Sequence, residues 1–411
     1  TLDDGASLHL SAGGIANTIN FSGQTADNIR GSIFFTDSNL MLGGTTGTGG
    51  ASNADALQNA TVHVGEGFLL TVATGDAAQT LDGLTFEGGT VHFDGKLGLN
   101  VGSDGLGRLV VTDTLDLTAG GAVTVTGTET AVGTVDQSNL LSLAEDGTFE
   151  ALITADTIIG DADDVELTVD GASTVTTNIM DGTDGPVAEG TFSYSDEIRD
   201  SAYGVNYGLT AVNILSDKTL TLTEDGDFGA LISNEDGAQS LTIAGDITLT
   251  NERNDYTAET IVTGGHTLTA LDGALGHTAK LTVEEGNTYI NQGDNEVGGL
   301  DVAGTLSLSD NTTLTIDQTG DSTSQISGTL TGTGDLVAMA GELDGANEGY
   351  SGDVSVGTEQ SAAIVAVNNA HSLGSGTVNL VNESSEFSLD AVSGASKTVT
   401  LSNTIEGDGV V

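Results

Sequence analysis

The chain repeats itself, and this repetition restricts its fold more than any other feature of the sequence. One unit runs from Asn254 to Val283 and recurs from Gly349 to Leu380. Each copy has a β pattern, a turn, a second β pattern, an Ala-Leu-Gly or Ser-Leu-Gly corner and a third β pattern. A second pair matches Leu141–Ile153 with Leu220–Ile232. Repeated units of this kind stack and cover one another's apolar face, so the sequence predicts a solenoid.

Within the repeats, apolar and hydroxyl residues alternate, as in Leu220-Thr-Leu-Thr223 and Ala122-Val-Thr-Val-Thr126. This alternation is typical of strands with one face inside and the other in water. The 60 glycines are spread along the chain, and Asp-Gly pairs between the strands supply tight turns. We therefore predict an all-β fold: a right-handed parallel β-helix with roughly 20 residues per turn, forming one rod-shaped domain over residues 1–411.

Two segments interrupt this rhythm. Residues 43–56 are rich in glycine and threonine and are predicted to form a flexible loop. Residues 178–208 hold Pro186, which is the chain's single proline, and several aromatic residues. Loops inserted into a rigid repeat often carry binding function, so we interpret 178–208 as an inserted aromatic loop. The alternative is that this segment folds back with its aromatic side chains packed down.

The net charge is −52, from 60 acidic and 8 basic side chains. Nucleic acids and anionic membrane surfaces are bound through Lys and Arg, so this charge argues against both as partners. It also keeps a long β surface soluble. The chain has no cysteine, which suits export. It has no apolar run of about 20 residues, so we do not expect it to be embedded in a membrane.

No pattern in the sequence indicates catalysis or a bound metal. Gly320-Asp-Ser322 is followed by Thr323 rather than glycine, so a turn is favoured over a protease nucleophile. Carboxylates are too numerous to indicate a glycosidase pair, and tryptophan is absent. The acidic stretch 161–166 lacks the glycine and terminal glutamate of an EF-hand loop. The six histidines share no spacing. We therefore expect no enzyme activity, no cofactor and no metal.

The units Tyr256–Val283 and Tyr350–Leu380 resemble the passenger-associated repeat of autotransporters, the type V secreted proteins of Gram-negative bacteria. That repeat has Asn-x-Tyr, a Val/Leu strand and an Ala/Ser-Leu-Gly corner. The resemblance implies a β-helical passenger at the bacterial cell surface, anchored to or released from the outer membrane, with a signal peptide and a membrane β-barrel beyond this segment. The first unit departs from the pattern at Ala258. The second is longer before Ser372, which predicts an inserted loop.

The resemblance also implies function. Passengers of this kind are adhesins that bind extracellular-matrix proteins such as fibronectin, or glycans such as glycosaminoglycans. The alternative is self-association that drives aggregation and biofilm formation, which the net charge opposes. We predict that the ligand contacts a set of basic and aromatic residues in the middle third of the chain. They are Arg199, Lys218, Arg253, Lys280, Tyr194, Tyr203 and Tyr207.

Overall fold

The structure, a computed structural model, describes residues 1–21, 24–43, 53–74, 78–95, 106–125, 135–145, 148–169, 174–182, 184–317, 324–338, 340–345, 347–359, 362–367, 372–389 and 403–410. The chain divides into two compact units, whereas the sequence predicts one domain. Unit 1 comprises Thr1–Gly133, Gly147–Thr176 and Phe192–Gly208. Unit 2 comprises Thr134–Asp146, Thr177–Thr191 and Leu209–Val411.

Strands dominate the described residues. In chain order the first are β1 (Ser7–Ser11), β2 (Ser32–Thr36), β3 (Ser38–Leu42), β4 (Thr61–Gly65), β5 (Phe68–Val72), β6 (Gln79–Leu81), β7 (Gly83–Glu87), β8 (Thr90–Phe93), β9 (Leu109–Asp116), β10 (Gly121–Val125), β11 (Val135–Asp136), β12 (Thr148–Ile159), β13 (Val165–Val169), β14 (Thr174–Met180), β15 (Pro186–Arg199) and β16 (Ala202–Ile214). The next are β17 (Thr219–Leu222), β18 (Gly226–Phe228), β19 (Leu231–Asn234), β20 (Ser240–Ile243), β21 (Ile247–Leu249), β22 (Glu259–Val262), β23 (Thr267–Ala270), β24 (Leu281–Val283), β25 (Thr288–Asn291), β26 (Asn295–Val297) and β27 (Leu300–Val302). The last are β28 (Thr305–Leu308), β29 (Thr313–Ile316), β30 (Gln325–Ile326), β31 (Thr329–Gly332), β32 (Asp335–Ala338), β33 (Ala340–Leu343), β34 (Val354–Val356), β35 (Ile364–Val367), β36 (Val378–Leu380), β37 (Glu386–Leu389) and β38 (Ile405–Gly407).

Helices are short in the described part of the chain. The α-helices are α1 (Asn53–Leu57) and α2 (Leu140–Glu145). Single 3-10 turns lie at Ala26–Asn28, Gln137–Asn139 and Ala162–Asp164. The predicted all-β class is therefore confirmed.

Unit 1 contains two parallel sheets. One has the strand order β1-β2-β4-β7-β9-β12, and the other has the order β13-β10-β8-β5-β3. Inward side chains such as Phe35 and Phe68 are fully buried, and their rings stack with centroids 4.6 Å apart. Strand β12 also pairs antiparallel with β16, from Thr148 opposite Tyr207 to Thr154 opposite Ala202. Unit 1 therefore combines parallel pairing with the antiparallel pairing of β12 and β16.

Unit 2 contains three parallel sheets. Their strand orders are β17-β20-β22-β24-β27-β30-β33-β35-β37, β18-β21-β23-β25-β28-β31 and β26-β29-β32-β34-β36-β38. In the first of these sheets, paired residues on neighbouring strands lie 17 to 24 residues apart in the chain. In the first sheet Thr219 lies beside Ser240, 21 residues on, and Gln325 lies beside Glu342, 17 residues on. These offsets are close to the roughly 20 residues per repeat that the sequence predicts.

Constant register places like residues in columns. In the first sheet of unit 2, eight successive strands contribute one inward apolar residue each, and all eight are at most 4% exposed. They are Leu222, Ile243, Val262, Val283, Val302, Ile326, Leu343 and Val367. Because the side-chain period of a strand is two, each pairing that buries one such residue turns its neighbours outward.

The two copies of the longer repeat share their buried polar contacts. The Asn254 side chain accepts a hydrogen bond from Ile232 N (2.8 Å) and donates one to Ala274 O (2.8 Å). Asn347 accepts from Leu330 N (2.6 Å) and donates to Ser372 O (2.5 Å). Each amide thus joins the preceding repeat to the following one.

Each copy also ends its corner on a glycine that approaches the previous repeat. Gly276 and Gly374 have φ of 60° and 59°. A Cβ at Gly374 would lie 2.1 Å from the Tyr350 carbonyl oxygen. Only glycine fits that contact, so this residue fixes how closely the corner stacks on the repeat before it.

The shorter repeat pair does not have one structure, which corrects the sequence interpretation. Leu220–Leu222 lies in β17, whereas Leu141–Glu145 lies in α2. β17 is the first strand of its sheet, and Gln137 Oε1 accepts a hydrogen bond from Thr221 N there (2.9 Å). Glu224 Oε2 accepts one from Leu141 N (2.9 Å). The helical segment therefore occupies the edge where another strand would pair, and covering an edge in this way blocks further pairing.

The segment 178–208 is also corrected, because it forms strands rather than a loop. β15 and β16 are hydrogen-bonded neighbours joined by the two-residue turn Asp200–Ser201, with φ of 50° and 63°. Pro186 is the first residue of β15, a position where a strand tolerates proline. The sequence predicts an aromatic loop here, but the alternation of apolar and polar residues is that of a half-buried hairpin.

In the predicted Gly/Thr loop 43–56, residues 44–52 lie outside the described residues. Its final residues, 53–56, belong to α1. The amide of Asn53 is buried there, donating to Met41 O (2.9 Å) and accepting from Phe21 N (2.7 Å). The end of the segment is therefore ordered by buried hydrogen bonds.

We expect Asn254→Ala to lower the free energy of unfolding by about 2–4 kcal/mol, because it leaves two buried backbone groups without a partner. Asn379→Ala is the matched control, since Asn379 lies on the outward side of β36 and should change stability by about 0.5 kcal/mol or less. Urea unfolding followed by circular dichroism measures both. Faster hydrogen exchange of the Ile232 amide in Asn254→Ala would locate the effect. Equal effects of the two substitutions would contradict the bridging role.

Candidate functional site

Five of the six strands in the second sheet of unit 2 present an outward surface made almost wholly of hydroxyl side chains. We call it the threonine face and define it by the outward residues of β21, β23, β25, β28 and β31. These are Thr248, Thr267, Thr269, Thr288, Ile290, Thr305, Ser307, Thr329 and Thr331. Their inward neighbours are buried, for example Leu268, Tyr289 and Leu306. Strand alternation thus fixes the orientation of the face.

The threonine face is a regular array. Strands lie about 4.8 Å apart and alternate residues about 6.7 Å apart, so five strands form a strip about 19 Å long. Register pairs threonine with threonine: Thr267 lies beside Thr288, and Thr305 lies beside Thr329. Each threonine offers a hydroxyl that donates and accepts and a methyl group. The strip can therefore form hydrogen bonds and make apolar contacts with one ligand.

The absence of charge on this strip sets it apart within so acidic a chain. The outward residues of the neighbouring first sheet include Glu259, Asp301, Glu342 and Glu386. Those of the third sheet include Glu296 and Glu406. None of the nine residues of the threonine face is charged. The sixth strand of this sheet, β18, carries the exposed Asp227 beside Thr248, so the uncharged surface is limited to the five strands that define the face.

The basic residues predicted from the sequence are not brought together as one patch. Arg199 belongs to unit 1, where its guanidinium donates to both Glu197 carboxylate oxygens at 3.0 Å and lies 5.0 Å from the Phe149 ring centroid. In unit 2, Lys280 Nζ lies 3.1 Å from Asp301 Oδ2. Each of these two cations is therefore already engaged by its own surroundings.

Lys218 and Arg253 form no ion pair with any described residue. Lys218 precedes β17, and Lys280 precedes β24 three strands further along the same sheet, about 14 Å away. Arg253 lies between β21 and β22, on a different connection. Leu220, Leu241, Thr260 and Leu281 are aligned in this sheet, and Lys218 lies two residues before that column whereas Lys280 lies one residue before it. The two lysines therefore do not share a column.

The predicted tyrosines are mostly buried. Tyr203 and Tyr207 are at most 1% exposed, so the prediction that they contact a ligand is corrected. The ring of Tyr194 is half-buried and lies 6.2 Å from that of Tyr207. Phe192 is also fully buried. The alternative weighed from the sequence, with aromatic side chains packed down, describes these residues better.

Two buried tyrosines differ in how their hydroxyls are satisfied. The hydroxyl of Tyr203 has no hydrogen-bond partner among the described residues. The Tyr350 hydroxyl lies 3.0 Å from both Gly334 O and Asp353 O, either of which can accept its single proton. Burial raises the pKa of both phenols, and nearby carboxylates, including Asp196 for Tyr203, raise it further. Both side chains therefore stay neutral in the fold.

An open cleft of about 310 Å³ lies in unit 1, beside the turn between β15 and β16. It is lined by Val110, Val111, Thr112, Thr154, Ala155, Asp156, Asp200 and Ser201. No histidine lies among these residues to activate Ser201, and no aromatic ring offers a sugar a stacking surface. The cleft therefore lacks the groups that catalysis by a serine nucleophile requires.

The acidic stretch 161–166 has a structural explanation. Asp161 and Asp164 form a capping box around the 3-10 turn Ala162–Asp164, in which Asp164 Oδ2 accepts from Asp161 N (2.8 Å). Gly320-Asp-Ser322 lies outside the described residues. None of the described helices has the length and apolarity that a membrane crossing requires.

The threonine face is not among the sites predicted from the sequence. Its signal is the recurring Thr-x-Thr pattern, as in Thr267-Leu-Thr269 and Thr329-Leu-Thr331, combined with the lack of charge at these outward positions. The alternation of apolar and hydroxyl residues is visible in the sequence of each single strand. The grouping into one face depends on which strands share a sheet.

Two proteins of Escherichia coli (strain K12) are similar to the chain. The uncharacterized lipoprotein YdeK is 32% identical over 218 residues, which cover 50% of this chain and 15% of YdeK. The uncharacterized protein YuaQ is 28% identical over 357 residues, which cover 80% of this chain and 25% of YuaQ. The chain thus spans a quarter or less of these relatives' length. No model of a known protein family matches the chain, and no solved structure does.

We expect Tyr203→Phe to leave the free energy of unfolding unchanged or to raise it by up to about 1 kcal/mol, because it removes a buried hydroxyl without a partner. Tyr350→Phe is the matched substitution and should lower it by about 1–2 kcal/mol, because the hydrogen bond that the hydroxyl donates to a backbone carbonyl oxygen is lost. Urea unfolding followed by circular dichroism compares them. A clear loss of stability in Tyr203→Phe would show that its hydroxyl has a partner.

Proposed function

We propose that the chain is part of a right-handed parallel β-solenoid. The regular offset between neighbouring strands in unit 2 supports this, since each sheet pairs segments about one repeat apart. Parallel pairing requires a crossover connection between partners, and such connections are right-handed in nearly all proteins. The hydrogen bonds by which Asn254 and Asn347 each join successive repeats support repeated coils as well.

The proposed biological role is that of a bacterial cell-surface adhesin of the autotransporter passenger type. The repeats carry the Asn, Tyr and Leu-Gly residues of the passenger-associated pattern; the Asn, Tyr and Leu residues are buried in both copies, and each glycine has a positive φ. The lipoprotein in YdeK's name agrees with a membrane-associated or surface location for this chain. We propose that the segment is exposed outside the cell.

The ligand we propose is an uncharged glycan chain, such as one carried by a host extracellular-matrix glycoprotein. The observation that carries this proposal is the charge-free threonine face. A strip about 19 Å long and two side chains wide suits a narrow polymer. Hydroxyl groups exchange hydrogen bonds with sugar hydroxyls, and threonine methyl groups cover the apolar sides of sugar rings.

Anionic glycosaminoglycans fit less well. Arg30, Arg108, Arg199 and Lys280 are paired with carboxylates of the chain itself. A sulfated polymer would have to displace these carboxylates and approach a chain of net charge −52. We therefore propose that sulfated chains bind more weakly than neutral ones.

Self-association through the same strip is the alternative. A stable protein interface buries about 800 Å² on each partner. The threonine face is about 19 Å long, and its two columns lie about 7 Å apart, so its area is much smaller than that. Contact between two copies would also bring the acidic flanks together. Size and charge therefore both favour a narrow uncharged ligand.

The test replaces hydroxyls on the face without changing side-chain shape. We expect Thr269→Val, Thr288→Val and Thr305→Val together to weaken adhesion to neutral-glycan arrays and to fibronectin at least tenfold, because each lost hydrogen bond is worth about 1 kcal/mol. Binding to enzymatically deglycosylated fibronectin should fall by a similar factor in the unchanged protein.

The matched control carries Thr221→Val, Thr242→Val and Thr282→Val on the outward side of the first sheet. It should adhere as the unchanged protein does. Equal adhesion by both triple variants would contradict the proposed site. Self-association would be favoured instead if cells that display the protein clump without binding any glycan, and if the first triple variant abolishes this clumping.

A further inference from the structure

We propose that Asp225, Asp246 and His266 form a binding site for one divalent transition-metal ion, of which Zn²⁺ is the best match. The sequence does not predict this site, because the three residues lie 21 and 20 positions apart and carry no familiar motif. They meet only through the register of unit 2. Asp225 precedes β18, Asp246 precedes β21 and His266 precedes β23, and these three strands are neighbours in one sheet.

The donor atoms converge. One carboxylate oxygen from each aspartate and one imidazole nitrogen all lie within 4.8 Å of one another. His266 Nδ1 lies 3.6 Å from Asp246 Oδ1. This is too long for a hydrogen bond. It is close to the roughly 3.4 Å that separates two ligands of a tetrahedral Zn²⁺ ion with bonds of about 2.0–2.2 Å.

The two carboxylates alone do not indicate a metal, because the same pair recurs where it has a structural role. Asp225 Oδ1 accepts from Asp246 N (2.7 Å), and Asp246 Oδ1 accepts from Thr267 N (2.8 Å). Another column repeats this arrangement. Asp335 Oδ1 accepts from Asp353 N (3.0 Å), and Asp353 Oδ1 accepts from Thr377 N (2.8 Å). These aspartates hold adjacent strands at a corner.

What distinguishes the proposed site is the histidine. His266 comes directly before Thr267, whose N–H donates to Asp246. At the aspartate pair Asp335 and Asp353, the residue before the equivalent Thr377 is Gly376. Imidazole nitrogen together with carboxylate oxygen is a donor set suited to Zn²⁺ and similar ions, and Ca²⁺ or Mg²⁺ prefers oxygen alone. One column of this unit therefore carries a third ligand of a different chemical type.

The histidine is held in place from the interior. Asn287 Oδ1 accepts hydrogen bonds from Gly265 N (2.7 Å) and His266 N (2.9 Å), and Asn287 is 2% exposed. The carboxylates are fixed by their backbone hydrogen bonds through Oδ1. Three protein ligands at an exposed site leave a further coordination position for water. The ion would also offset repulsion between two carboxylates stacked on adjacent strands, about 4.8 Å apart.

The experiment is isothermal titration of the whole chain with ZnCl₂, with CaCl₂ titrated in parallel. We expect one high-affinity Zn²⁺ ion per chain and no matching Ca²⁺ event. His266→Ala should weaken Zn²⁺ binding at least tenfold. Asp225→Asn with Asp246→Asn should do the same while keeping the backbone hydrogen bonds, because the amide oxygen still accepts them.

Two controls separate this site from general binding to an acidic surface. His277→Ala removes another exposed histidine, and Asp335→Asn with Asp353→Asn removes the carboxylate pair that lacks a histidine. Both should bind Zn²⁺ as the unchanged chain does. A perturbed His266 ring signal in NMR on adding Zn²⁺ would support the site directly. Equal affinity of the His266→Ala and unchanged chains, or weak binding of many ions only, would overturn the proposal.

Discussion

The register between neighbouring parallel strands is the constraint on which the rest of unit 2 depends. Once Leu222 lies beside Ile243 and Ile243 beside Val262, every other residue of those strands has a fixed neighbour and a fixed side. If the register shifted by one residue, the side chains of each buried column would face water. Apolar columns hold this register from inside. Buried asparagines such as Asn254 hold it at the corners, where backbone groups would otherwise lack partners.

The same register gathers chemistry that is scattered along the sequence. Threonines about 20 residues apart become one uncharged strip, and aspartates at strand starts become columns that receive the next strand's N–H groups. At Asp246 a histidine joins such a column. The two proposed sites lie on one sheet and do not depend on each other. A neutral strip and an imidazole–carboxylate group would recognise different ligands.

Much of this fold follows from the sequence, because alternation and repetition are local signals. The all-β class, the length of the repeat and the corner at Ser372-Leu-Gly374 were predictable. Helix α2 was not, since Leu141–Glu145 resembles the strand segment at Leu220 and has Ser142 and Ala144 where that segment has Thr221 and Thr223. The hairpin of β15 and β16 was missed because a proline and clustered aromatics outweighed its alternation. The predicted cation patch failed because sequence distance does not determine which residues share a column.

The central claim is that segments about 20 residues apart lie side by side in fixed register, and the absence of cysteine allows a direct test. Thr305 and Thr329 are register partners, so Thr305→Cys with Thr329→Cys places two Cα atoms about 4.8 Å apart, within disulfide range. Thr267 lies two strands from Thr305, about 9.6 Å away and out of range. Under mild oxidation, mass spectrometry should find an intramolecular disulfide in the first pair and free thiols in Thr267→Cys with Thr305→Cys. Free thiols in the first pair, or equal cross-linking in both, would contradict the account.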